Sequence, residues 1–217
     1  MERRLSYGQP LPALPRPPRG IDLETFYLRY LPELFGAVIS EMPSLTRALE
    51  IACHIQVDAV TERVFAVVLG PNTLFASAER PCTDPLVTLH CDARAWTTGV
   101  RDVWPRLLRL LDRDHGALRE RAGAHWRELG PAITAERLRP LAGRIEIDYA
   151  DDAGDHVAYV VEIAGGRGPR VRLRMEDREL WALLREGGRL LPWLQSRVGI
   201  EGDAGYLVRV AMVRELR

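Results

Sequence analysis

The chain has 217 residues, 47% apolar and 28% charged, the composition of an ordinary globular protein with material for one large core or two small ones. Its 30 basic residues, all arginine, balance its 30 acidic ones, which excludes a net field that would recruit nucleic acid or an anionic membrane surface. No stretch approaches the ~18 apolar residues of a membrane span. Cys53, Cys82 and Cys91 are odd in number and form no disulfide framework, so reduced thiols and a cytoplasmic location are expected.

Residues 1–20 hold Pro10, Pro12, Pro15, Pro17 and Pro18 and lack the apolar run of a secretory signal. They read as an extended arm, disordered or draped over the surface. Asp22 then caps a helix whose apolar face carries Phe26, Tyr27, Tyr30, Leu31, Leu34, Phe35, Val38 and Ile39. Pro32 is expected to bend or divide it, Met42-Pro43 to stop it, and Ser44 to cap a short helix ending near Leu49. The apolar period next drops to two over residues 53–58, 64–69, 73–78 and 87–91, a meander of three or four antiparallel strands. Asp92 caps a helix through Trp96 and Val100, and Pro105 is placed to begin another through Leu107, Leu108, Leu110 and Leu111.

Residues 112–133 are polar, with Leu118, Trp126 and Leu129 as spaced anchors, and read as a solvated helical connector. Thr134 caps a short helix ending near Leu141. Strands follow over residues 144–149, 156–163 and 171–175, separated by Asp151-Asp152-Ala153-Gly154 and by Gly165-Gly166-Arg167-Gly168-Pro169. Glu176 opens a helix that Gly187-Gly188 ends. Leu190, Leu191, Trp193 and Leu194 form a second apolar helix, residues 198–202 a short strand, and Asp203 caps a last helix through Leu207, Val210, Ala211 and Val213.

The two halves share a grammar. Val87-x-Leu89-x-x-Asp92-x-Arg94 aligns without a gap on Val171-x-Leu173-x-x-Glu176-x-Arg178, and residues 54–59 align on 144–149 if the second half has a shorter turn. This points to an internal duplication, residues 21–111 against 134–217, with chance similarity of two αβ segments as the alternative. The fold class expected is α+β, a mainly antiparallel curved sheet or sheets covered by helices, the two halves sharing one core.

Chemistry-bearing clusters are sparse. Cys53-His54 and His90-Cys91 suggest zinc by composition, but no C-x-x-C spacing occurs, and neighbours on a strand face opposite sides. No metal ligand and no cofactor is assigned. Asp151, Asp152 and Asp155 lack calcium-loop spacing, and the glycines at 165–168 lack the Lys-Ser/Thr of a phosphate loop. There is no nucleophile elbow, His115, His125 and His156 are isolated, and no catalytic residue is assigned, so a binding module is favoured over an enzyme.

Over residues 171–213 the order of strand, helix, apolar helix, strand and closing helix resembles the sterol carrier protein type 2 family. The residues that carry the likeness are Val171-Arg172-Leu173, then Asp177-Arg178-Glu179-Leu180 with Leu183-Leu184, and Ile200-Glu201-Gly202-Asp203. It covers residues 134–215, and more weakly 30–111. GGRGP stands where the family has an extra strand. The resemblance implies a non-catalytic carrier holding a sterol, fatty acyl or isoprenoid chain in an apolar cavity. Its walls would come from Val171, Leu173, Leu180, Leu183, Leu184, Leu191, Trp193, Leu194, Val198, Ile200, Leu207 and Val210. The expected partner is a hydrophobic small molecule, with transient membrane contact allowed and no nucleic acid. The other reading is a ligand-free interaction or scaffold module with a protein partner or a second copy.

Overall fold

The computed structural model describes residues 13–38, 49–69, 74–79, 82–112, 135–151, 153–185 and 199–212. Eight strands form a single open sheet: β1 Leu49–Gln56, β2 Glu62–Leu69, β3 Leu74–Ser77, β4 Val87–Asp92, β5 Gly143–Ala150, β6 His156–Ile163, β7 Arg170–Glu176 and β8 Gly199–Gly202. Their spatial order is β3-β2-β1-β4-β6-β5-β7-β8. Five of the seven pairings are antiparallel, while β1 with β4 and β5 with β7 run parallel. The fold is therefore α+β with a mixed sheet, and the strands of residues 53–91 are not the antiparallel meander expected, because β4 leaves β3 and pairs parallel with β1.

The helices are α1 (residues 23–38), α2 (residues 93–112), α3 (residues 135–141), α4 Asp177–Arg185 and α5 Ala204–Ala211. Three expected caps are in place. Asp22 accepts from the Thr25 N–H at 2.8 Å, Asp92 from Ala95 at 2.6 Å and Asp203 from Tyr206 at 2.9 Å. α4 starts at Asp177, directly after Glu176, and the Glu179 carboxylate reaches back to the Glu176 N–H. Leu49, assigned above to the end of a short helix, opens β1 instead. That helix, the cap expected at Thr134 and the connector fall on residues 39–48 and 113–134, outside the described residues.

Pro32 and Pro105 neither divide a helix nor start a new one. Each follows a turn wound one residue too wide, Phe26–Tyr30 in α1 and Gly99–Val103 in α2, where Leu31 N–H donates to the Phe26 carbonyl and Trp104 N–H to that of Gly99. A proline lacks the N–H and crowds the carbonyl four residues back, here Leu28 and Arg101. Widening the preceding turn relieves the crowding and lets the helix continue.

Period two gives the sheet unlike faces. Ile51, Cys53 and Ile55 of β1, Phe65 and Val67 of β2, Leu89 and Cys91 of β4, and Val171 and Leu173 of β7 share one face, and every described helix packs on it. The opposite face bears a chain of ion pairs running over β6, β5 and β7: Glu162–Arg144 (3.4 Å), Arg144–Glu146 along β5 (3.0 Å) and Glu146–Arg172 (3.1 Å). Such partly exposed pairs contribute at most about 1 kcal/mol each.

Two strand triplets share connectivity and register. Ile51 sits between Val67 and Val87, as Ile145 sits between Val161 and Val171. His54 therefore corresponds to Asp148, so the alignment of residues 54–59 with 144–149 is out by four. The hairpin loops, residues 57–61 and 151–155, are equal in length. The length difference lies between β2 and β4, where β3 has no counterpart between β6 and β7. GGRGP is not a hairpin turn either, since β6 and β7 are unpaired and this link passes over the start of β5. A Cβ on Gly168, whose φ is +152°, would lie 2.4 Å from the Ala142 carbonyl oxygen.

Gly143 is required by packing. Tyr206, 1% exposed, crosses it to donate to the Leu141 carbonyl at 3.0 Å, and a Cβ at 143 would meet its ring at 2.6 Å and the Pro169 carbonyl at 2.9 Å. Gly143→Ala is expected to lower the unfolding free energy by about 1–3 kcal/mol. Gly36→Ala, in a helix with nothing within 4 Å, should be neutral or stabilising by up to about 1 kcal/mol. Urea titrations of the two variants check this; equal midpoints would sink the packing account.

Candidate functional site

The two widened turns face each other across one apolar pocket. Its volume is about 330 Å3, and it lies between α1, α2 and the sheet at the seam where β4 meets β6. α1 supplies Phe26 and Tyr27; α2 supplies Trp96, Gly99, Val100, Val103 and Trp104. The floor is Leu89 and Cys91 of β4, Tyr159 of β6, Ile147 and Tyr149 of β5 and Met175 of β7, with Leu180 of α4 at the side. A regular turn would rotate these helical side chains by a residue's worth of angle, so the prolines shape this wall.

Aromatic packing fixes the rim. Phe26 meets Trp96 and Trp104 edge-on, both with centroids 5.9 Å away, and Tyr27 stacks on Phe65 at 4.5 Å. The Trp104 indole N–H donates to Tyr30 Oη, whose own hydrogen goes to the Pro15 carbonyl, each at 2.9 Å. Leu14 is buried beside them, and its N–H donates to Asp112 at 3.1 Å. Residues 13–18 are thus strapped over the helices, the draped form of the expected arm.

Polar groups at the pocket are few and mostly engaged. Tyr159 Oη donates to the Ala95 carbonyl at 2.7 Å. The Trp96 indole nitrogen is buried and makes no hydrogen bond of ordinary geometry, although the Tyr27 hydroxyl is close enough to feel it. Burial pushes the Tyr27 and Tyr159 hydroxyls above the ordinary tyrosine range. For the same reason the Cys53 thiol is pushed up to about 11 and the Cys91 thiol to about 12.

The α4 end of the pocket is held by a buried carboxylate. Asp177, 5% exposed, accepts from Tyr149 Oη (2.5 Å), the Trp181 indole N–H (2.8 Å) and Arg106 Nη1 (2.9 Å). The Arg106 guanidinium also lies 5.2 Å over the Trp181 ring. One side chain thereby ties α2, β5 and α4 together.

Of the wall residues that the resemblance implied, Leu180 lines this pocket. Val171, Leu173 and Leu207 are buried in a neighbouring cluster around Tyr206, with Ile200 and Val210 packed against it. Leu183 and Leu184 belong to α4, their side chains outside the described residues, as are Leu191, Trp193, Leu194 and Val198 altogether. Sequence reasoning missed the other thirteen lining residues: the apolar faces of α1 and α2 and the inward positions of the strands were readable, but not which strands would lie under those helices.

A second, polar depression of about 610 Å3 lies near His156, Glu176 and Glu179. Its carboxylates are engaged: Arg178 pairs with Glu176 at 3.0 Å and with Glu179 at 2.9 Å. Among the described residues no helix is long and apolar enough to cross a membrane. No protein-family model, curated protein or solved structure matches the chain.

Two expectations follow. Asp177→Ala strands the Tyr149 hydroxyl and the Trp181 N–H and should cost about 3–5 kcal/mol, against about 1 kcal/mol for Tyr149→Phe; thermal unfolding of both variants measures the ratio, and similar losses would contradict a shared anchor. The raised thiols fix the sign of an alkaline effect. Below the ordinary value of 9.0 Cys53 and Cys91 are protonated folded or unfolded, whereas between about 9 and 12 the unfolded chain ionises first, so stability falls as pH rises. At pH 8 iodoacetamide should modify half-buried Cys82 well before either; equal labelling in the native protein would refute it.

Proposed function

We propose that the protein is a non-catalytic carrier that holds one apolar chain, a fatty acyl or isoprenoid group, in the pocket between α1, α2 and the sheet. The observation that carries this reading is the pocket's lining: fourteen residues, none carrying a charge. About 330 Å3 lies at the low end of the ~300–1,000 Å3 of small-molecule sites. That size favours a single chain over a fused sterol ring system. Apolar walls suffice to hold such a ligand, since each buried methylene contributes about 0.8 kcal/mol. The Trp96 N–H, which makes no hydrogen bond of ordinary geometry, offers one donor for a carbonyl or carboxylate at the head of the chain.

Membership of the sterol-carrier family is part of this proposal, supported by the strand, helix and Asp203-capped helix order over residues 170–211. So is duplication, supported by the matching registers around Ile51 and Ile145. Free Cys53, Cys82 and Cys91 suit carriage in a reducing compartment.

The test is organic extraction of the purified protein with mass spectrometry, followed by titration with fatty acids of increasing length, read by quenching of tryptophan fluorescence. Affinity should rise about fourfold per methylene until the pocket is full. Val100→Trp, which fills it, should weaken binding at least ~10-fold, while Val208→Trp at an exposed position should not. A wild-type chain that takes up no acyl, isoprenoid or sterol analogue leaves the scaffold reading. Uptake indifferent to Val100→Trp would place the ligand elsewhere.

A further inference from the structure

We propose that β1, β2 and β4 present a divalent transition-metal site on the sheet face opposite the apolar pocket, with His54, His90 and Glu62 as ligands and Glu162 as the positioning residue for His90. The parallel register of β1 and β4 sets His54 directly beside His90, their ring centroids 4.7 Å apart. The β1–β2 hairpin brings Glu62 to the same place, its Oε1 3.1 Å from His54 Nδ1. One ligand atom from each of the three lies within 4.8 Å of the others.

Tetrahedral zinc, with bonds of about 2.0–2.2 Å, separates its ligand atoms by about 3.4 Å. The His54–Glu62 pair already stands at that spacing. Bringing in His90 needs a shift of about an ångström, and all three side chains are free to make it, being 27%, 37% and 44% exposed for His54, His90 and Glu62. Two imidazoles and one carboxylate select a borderline metal such as zinc over magnesium or calcium, whose ligands are all oxygen. Three protein ligands leave a fourth position for water.

A second shell is also present. His90 Nε2 faces Glu162 Oε2 at 3.4 Å, and Glu162 is in turn paired with Arg144. In the tautomer that donates Nε2–H to Glu162 the lone pair stands on Nδ1, the arrangement of carboxylate–histidine–metal relays. The competing view is two His–Glu ion pairs that bind nothing. Cys53 and Cys91, on the other face of the same strands, are not ligands.

The full-length protein, stripped with chelator, is titrated with zinc chloride by calorimetry and with cobalt chloride by absorption. One metal per chain is expected, with a cobalt spectrum lacking thiolate charge transfer. His54→Ala and His90→Ala should each weaken zinc by more than ~100-fold, and Glu62→Gln by at least ~10-fold. Glu162→Gln should weaken it about 10–100-fold at unchanged stoichiometry and unchanged thermal midpoint of the metal-free protein. His156→Ala, at an exposed position away from the cluster, is the control and should bind as wild type. No zinc taken up, a thiolate band in the cobalt spectrum, or binding indifferent to both His54→Ala and His90→Ala would overturn the site.

Discussion

The antiparallel pairing of β4 with β6, from Val87 opposite Ile163 to Cys91 opposite Tyr159, is the constraint on which the rest depends. Without it β4 would end one sheet and β6 begin another, each with a long unpaired edge. With it, the only edges among the described strands are β3 and β8, both four residues long. The junction also decides where helices can lie. α2 leaves the end of β4 and has to return across the seam, and Ala95 is wholly buried because Tyr149, Val157 and Tyr159 come from beyond it. Asp177 completes the same junction from the far side, taking Arg106 of α2 and Tyr149 of β5 as partners.

Because side chains alternate on a strand, one pairing builds two unlike environments back to back. On β4, Leu89 and Cys91 enter the apolar pocket while His90, between them, joins His54 on the other face. On β6 the same division puts Tyr159 under α2 and Glu162 beside His90. A shift of one residue in the seam would exchange the faces, placing charged groups under the helices and aromatic ones among the ions. The cost of that exchange is what holds both sites in register, so the apolar pocket and the histidine pair are two consequences of one hydrogen-bond ladder.

Local features were legible in the sequence, and non-local ones were not. The caps at Asp22, Asp92 and Asp203 depend on a side chain and an N–H three residues on, so composition suffices to place them. The strand faces followed from period two, and with them the opposed directions of Cys53 and His54. What could not be read was which strands would be neighbours. His54 and His90 are brought side by side by a parallel pairing that requires the chain to pass through β2 and β3 first, and no spacing rule encodes that. Of the wall residues taken from the family resemblance Leu180 reaches the pocket, whereas Val171, Leu173 and Leu207 face inward onto Tyr206, which fills the space a cavity would need.

The prolines mark the boundary between these two kinds of information. Pro32 and Pro105 announce a disturbance in any helix that contains them, yet the sequence alone leaves a stop, a kink and a widened turn all open. Packing on both sides chooses among them. Phe26, Tyr27 and Tyr30 upstream of Pro32 are buried, and Leu34 beyond it joins the same cluster, so a stop or a sharp kink would pull one end of α1 off the core. The same holds for α2, where Trp96 before the wide turn and Leu108 after it share that cluster. A widened turn keeps both ends seated and shifts the intervening side chains around the helix axis. Two helices that make this adjustment against one sheet cannot interdigitate like regular ones, and the space they leave is the pocket beside Gly99, where a Cβ would stand only 3.3 Å from Tyr159 Oη.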